Sequence, residues 1–200
     1  MSNRRQKQAA ATRQDILLAA RTLFGERGYA STSMALIAAE AGTAVQTIYD
    51  SVGPKKAIVL AIMDVLEVEA GVPEIMAELR ETNDPRTMIA LQVRLQRQFY
   101  ERCGDILKML ITGAAQEPAI AATLAVGQSR NRATLTTIIE RIHEMGALRG
   151  GLSLNRARGT LDVLTWMTCA EYVEGYDWSY DEFQEWLTDD LCRLLLRNSD

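Results

Sequence analysis

The sequence predicts an all-α fold of nine to ten helices, and three observations carry that prediction. Apolar residues recur at helical spacing almost throughout, and no stretch alternates with the period of two that a half-buried strand needs. Gly and Pro punctuate these runs at Gly28, Gly42, Gly53-Pro54, Pro85, Pro118 and Gly146. The helices so bounded are three short ones followed by longer ones. The 200 residues are 48% hydrophobic and 24% charged, enough for a sizeable core and too apolar for wholesale disorder.

In chain order, Thr12 is a good N-cap with Asp15 three residues on, so a first helix is expected from there to Gly28. Ile16, Leu17, Ala20, Leu23 and Phe24 form its apolar face. Thr32 is placed to cap a short second helix with Met34, Ile37, Ala38 and Ala41 inward; Gly42 turns the chain. A third short helix, about Ala44 to Val52, offers Ile48 and Val52 to the same core. Pro54 opens a fourth helix, Lys55 to Ala70. Gly71 to Asp84 reads as a loop with one turn around Glu74–Leu79. Pro85 starts a helix to about Cys103, and Asp105–Thr112 is a short one. Pro118 opens a long helix to Met145, Ser153 caps another over roughly Leu154–Glu174, and Ser179 caps the last, with Glu182 at the capping-box position and an end near Arg197.

Charge divides the chain. Residues 1–58 carry 8 Lys and Arg against 4 acids, net +4, while residues 59–200 carry 14 against 22, net −8. A basic head on an acidic body suggests two jobs. Other classes fall away. The N-terminus is polar, without the apolar core of a secretory signal, and no apolar run approaches the ~20 residues of a membrane helix, so a cytoplasmic protein without membrane contact is expected. Cys103, Cys169 and Cys192 are widely spaced, without a CxxC pair, and His143 is the lone histidine. No metal site, cofactor or catalytic residue is therefore expected, and the chain reads as a non-enzyme. A rival of another class is a helical-bundle enzyme using His143 with Glu140 or Asp162; it lacks a nucleophile.

Two short helices joined by a Gly-containing turn, after a longer helix, are the layout of a helix-turn-helix DNA reader. Residue identities sharpen this. Gly28-Tyr29-Ala30-Ser31-Thr32-Ser33, Ile37-Ala38-Ala39-Glu40-Ala41-Gly42, Thr47-Ile48-Tyr49 and Lys55-Lys56-Ala57-Ile58 together resemble the N-terminal domain of the TetR family of transcriptional regulators. Leu152 to Arg158, and Trp178-Ser179-Tyr180 through Trp186-Leu187, are similar to the last two helices of many members. The resemblance implies a helix-turn-helix domain over residues 1–54 and a ligand-binding and dimerisation domain over 55–200. It also implies a homodimeric regulator, most often a repressor released from a pseudo-palindromic operator by a small molecule, with an activator or a ligand-independent regulator of the same fold as alternatives.

Carried onto this chain, the third helix is the recognition helix, and the DNA-binding residues are Thr32, Ser33, Ala44, Val45, Gln46, Thr47, Tyr49 and Lys55. Thr and Tyr hydroxyls can donate to phosphate, Gln46 can pair with adenine, and Val45 suits a thymine methyl. Tyr49 has a core aromatic as its other reading, and Lys55 a solvated charge. The family's common His-Phe pair is replaced here by Asp50-Ser51-Val52, and Asp50 is out of place among phosphates unless it accepts from a cytosine amine. Ala35 stands where many relatives carry a polar reader. Arg4, Arg5 and Lys7 form either an arm along the DNA or a solvated tail.

In the acidic body, Leu161, Phe183, Trp186, Leu187, Leu191 and Leu194 are expected at a four-helix dimer interface, with packing inside one chain as the other reading. Phe99, Tyr100, Cys103, Met109, Asn131, Leu135, Asp162 and Trp166 are the expected ligand-binding residues, suited to an apolar or aromatic effector.

Overall fold

The computed structural model describes residues 2–166 and 168–197. It is all-helical: among the described residues the only β pairing is an isolated antiparallel bridge between Leu148 and Leu196. The helices are α1 (Ser2–Ser31), α2 (Met34–Glu40), α3 (Val45–Ser51), α4 (Lys55–Glu69), α5 (Val72–Glu81), α6 (Pro85–Gly113), α7 (Pro118–Glu144), α8 (Leu154–Thr165) and α9 (Tyr180–Leu195). A single α turn, Thr168–Ala170, and a π-helical turn, Glu171–Gly175, lie between the last two. No helix among the described residues is long and apolar enough to cross a membrane.

Several boundaries differ from the sequence expectation, each for a local reason. Helix α1 starts at Ser2, not Thr12, so Arg4, Arg5 and Lys7 lie on this helix and not ahead of it. The Ala9–Ala11 run favours continuation, and the Thr12 hydroxyl, instead of capping, donates back to the Gln8 carbonyl at 3.0 Å. Gly28 does break the helix, with φ 78° and ψ 162° inside an otherwise helical run. Ser33 and not Thr32 caps α2, accepting from the Leu36 N–H. The expected loop after Gly71 is helix α5, entered through left-handed Gly71 with Pro73 in the first turn and anchored by buried Ile75 and Leu79. Helix α6 runs straight through Gly104, joining two predicted helices into one. Helix α8 stops at Thr165, short of Glu174, because Trp166 is extended. The Thr165 and Thr168 hydroxyls donate to carbonyls one turn back, a pattern that bends helices.

The chain packs as two compact units: Met1–Leu66 with Gly104–Gly127, and Glu67–Cys103 with Gln128–Asp200. In the first, α1, α2 and α3 pack on one another around Ile16, Leu23, Phe24, Ile37 and Ile48, all buried. Ile58, Val59 and Ile62 of α4 are equally buried, so this unit extends past the boundary expected at residue 54. The second unit has one continuous core built from α5 to α9, with Met88, Ile89, Val93, Ile138, Ile142, Leu161, Phe183 and Leu191 fully enclosed.

Candidate nucleic-acid interface

Four devices fix α3 as an outward-facing helix. Thr32 is 1% exposed, and its hydroxyl reaches the Gly28 carbonyl at 2.9 Å and the Leu23 carbonyl at 3.2 Å. That hydroxyl holds the α1–α2 corner closed; it is turned away from solvent, which corrects its expected place among the DNA contacts. Gly42, at φ 61°, makes the turn, and the Thr43 N–H returns to the Ala38 carbonyl. Ile48, fully buried, is the anchor of α3. At its far end Arg13 of α1 donates to the Ser51 carbonyl at 2.8 Å, satisfying a C-terminal carbonyl with a cation.

Around inward Ile48, Ala44, Val45, Gln46, Tyr49 and Asp50 are in the open and Thr47 is half-buried. Tyr49 is 48% exposed, which removes its reading as a core aromatic. Ser33 is exposed, with its oxygen engaged as the α2 cap. The Gln46 side-chain amide donates to Asp50 at 2.9 Å, one turn apart on the same face.

Lys55, the first residue of α4, lies with its ammonium 4.1 Å above the centre of the Tyr29 ring, which itself packs on Phe24 at 5.3 Å. Burial lowers the Lys55 pKa, and the nearby Glu117 carboxylate acts against that shift. The Tyr29 hydroxyl is pushed up by burial first and by Glu117 second. Within the same unit Arg21 of α1 pairs with Asp105 of α6 at 3.2 Å. These residues offer hydroxyl, amide and ammonium groups, chemistry suited to phosphate oxygens and base edges.

The expected ligand residues distribute differently. Met109 is buried in the first unit, the others lie in the second. Cys103 and Leu135 are fully buried. Phe99 and Tyr100 are half-buried against the second core, and Trp166 is half-buried at the end of α8. Asn131 and Asp162 meet at 3.4 Å. Sequence reasoning missed the partners that complete this network: Gln92 and Gln96, one turn apart on α6, both donate to the Asn131 carbonyl oxygen, at 3.1 and 2.9 Å. The signal was two glutamines at i,i+4 inside an apolar helical face. Gln92 is 1% exposed and its Oε1 has no partner. Arg132 closes the network on Asp162 at 3.3 Å, at the wall of a cleft of about 420 Å³ lined also by Asn155, Arg158 and Gly159.

The expected dimer residues divide by burial. Leu161, Phe183, Leu187 and Leu191 are at most 1% exposed within a single chain, so they are core and have no surface to offer a partner. Leu194 is 43% exposed and Trp186 half-buried. Val163, 70% exposed on α8, and Leu154 are outward apolar residues that the sequence reading did not single out. His143 is exposed, and Asp162 is engaged by Asn131 and Arg132 rather than by it.

Residues 16–62, the span that builds this head, match the family model described as bacterial regulatory proteins, tetR family. The N-terminal domain belongs to the TetR family. No curated protein matches the chain. Among solved structures, the chain is similar in fold to NalD, the secondary repressor of the MexAB-OprM multidrug efflux pump in Pseudomonas aeruginosa. That match has 18% identity and a TM-score of 0.76, over 96% of this chain and 100% of that one. A TetR transcription regulator from Haloarcula marismortui matches with 18% identity and a TM-score of 0.70, over 94% and 100%. The fatty acid degradation regulator FadR from Bacillus halodurans matches with 18% identity and a TM-score of 0.68, over 90% and 93%. The likeness extends beyond the TetR-family domain to the helical body, whose fold these structures share.

Proposed function

We propose that this chain is a transcriptional repressor that binds a pseudo-palindromic operator as a homodimer and is released by a small-molecule effector. The observation that carries the reading is the outward face of α3. A seven-residue helix held by Ile48 and Arg13 shows solvent an amide, a phenol and small apolar groups, within residues 1–58 that carry a net charge of +4. One such helix touches few base pairs, so useful affinity calls for two copies on two half-sites.

The second copy would meet the exposed residues Val163 and Leu194, with Trp186 at their edge. The fully buried leucines of α8 and α9 take no part. The effector would enter the second unit, where Phe99, Tyr100 and Trp166 offer rings and the Gln92–Gln96–Asn131–Asp162 network offers polar anchors. An aromatic or apolar molecule carrying a hydrogen-bond donor suits that lining, because Gln92 Oε1 lacks a donor.

The test is an electrophoretic mobility shift with the DNA upstream of the chain's own gene, against excess random duplex at moderate salt. Retarded complex that random DNA cannot displace supports a sequence-specific regulator. Equal displacement by both duplexes refutes it.

A further inference from the structure

Asp50 is the sole acid on α3, and it stands on the face turned to solvent. A carboxylate brought to a phosphate-lined groove is repelled, so this position calls for a compensating role. Its one contact supplies that role: Gln46 Nε2 donates to Asp50 Oδ1 at 2.9 Å. An ionised carboxylate only accepts. The nitrogen end of the Gln46 amide must therefore face Asp50, and the carbonyl end must face away.

Fixing that orientation decides what Gln46 can read. One of its two N–H bonds is held by Asp50; the other N–H and the carbonyl Oε1 remain available side by side. An acceptor beside a donor matches the N6 amine and N7 of adenine in the major groove. Guanine offers two acceptors there, O6 and N7, and a held Oε1 would oppose O6. An amide free to turn end over end loses that discrimination, since its NH2 group can then face guanine.

We infer that Asp50 is a positioning residue, holding the Gln46 amide in the orientation that selects adenine over guanine in the operator half-site. The inference rests on the reading of α3 as the recognition helix, and its test separates the two.

The full chain is incubated with a fully randomised duplex library, and bound duplexes are sequenced for the unsubstituted protein and for Gln46→Ala, Asp50→Ala and Asp50→Asn. The best duplex is then titrated beside a copy whose selected A·T pair is replaced by G·C. The expected result is adenine at one position per half-site, with affinity lost about 5- to 150-fold on replacement, the range of one bidentate base contact. Gln46→Ala abolishes that preference and Asp50→Ala reduces it by at least about fivefold. Asp50→Asn also weakens it, because an asparagine amide donates as well as accepts and no longer dictates which end of Gln46 faces it, while random-sequence binding tightens with the charge gone. Unaltered adenine preference in Asp50→Ala overturns the inference. So does an adenine preference in Asp50→Asn as strong as that of the unsubstituted protein, or selection of cytosine that Asp50→Ala abolishes, since the carboxylate would then read the base itself. A library with no enriched sequence refutes the recognition-helix reading, and this inference falls with it.

Discussion

If Lys55 grips phosphate, as the proposed function has it, Lys55→Ala separates that grip from base reading. The ammonium rests on the Tyr29 ring at 4.1 Å, a contact worth about 0.5–1 kcal/mol at an exposed site. The ring thereby offsets part of the roughly 2 kcal/mol of rotamer freedom that an immobilised lysine gives up. On the proposed function, a pre-placed ammonium at the start of α4 would add one phosphate contact per subunit. Each contact steepens the dependence of log affinity on log salt by about 0.9, and a dimer by about 1.8. Raising salt from 50 to 200 mM therefore weakens a dimer by about 3.5-fold for each such contact, about 12-fold for two, beyond whatever its other contacts lose. Lys55→Ala is expected to remove that portion for operator and random duplexes alike. Glu117→Gln should do the reverse, since the carboxylate competes with phosphate for the same ammonium. Fluorescence anisotropy with labelled duplexes across that salt range reads both. Loss of operator affinity alone, at unchanged salt slope, would mean that Lys55 touches a base and that the register of α3 is wrong.

Two further expectations follow from burial and charge. Leu191→Ala removes a fully enclosed side chain and should cost about 2–5 kcal/mol of stability. Leu194→Glu, on the same helix but outward, should leave the melting temperature nearly unchanged and shift sedimentation from dimer to monomer; an unshifted dimer relocates the interface. Asp84 is held below the usual carboxylate range by hydrogen bonds from the Thr87 hydroxyl and N–H. Because the folded pKa is the lower one, its stabilisation is full above the unfolded value of about 3.9 and disappears as pH falls through the folded value. Thermal melts of Asp84→Ala and the unsubstituted protein should therefore differ at pH 6 and converge in strong acid; a gap independent of pH refutes the carboxylate's role.

The head was more legible in the sequence than the body, and the reason is local signalling. Gly28, Gly42 and Gly53 mark turns that need positive φ, and between them the apolar residues of short helices point one way. Ser33 against Thr32 as the α2 cap is a one-residue slip between two hydroxyls, settled by which oxygen has a tertiary use: Thr32's is taken by the Leu23 and Gly28 carbonyls. In the body, apolar periodicity shows that a face is buried without saying against what. Leu161, Phe183 and Leu191 obey the pattern equally for a subunit interface and for an internal core, and only their complete enclosure in one chain decides. The Gln92–Asn131 contact spans 39 residues of sequence, beyond any local pattern. Helix α5 was missed because Gly71 and Pro73 read as loop formers, whereas here they form its entrance.

All three tryptophans, Trp166, Trp178 and Trp186, lie in the second compact unit, while the head has tyrosine and phenylalanine only. Trp178 and Trp186 meet edge to face at 5.4 Å, and Tyr172 packs against both at 4.9 and 4.6 Å. The chain thus carries its own optical label on one half. Emission excited in the indole band reports the state of the body alone, and the paired rings give near-ultraviolet circular dichroism sensitive to small changes in their mutual angle. A titrant that alters this signal without DNA present acts on the body. A duplex shown by mobility shift to bind, yet leaving this signal flat, does so without disturbing the ring cluster. Occupancy of the body can be followed in a cuvette without a dye.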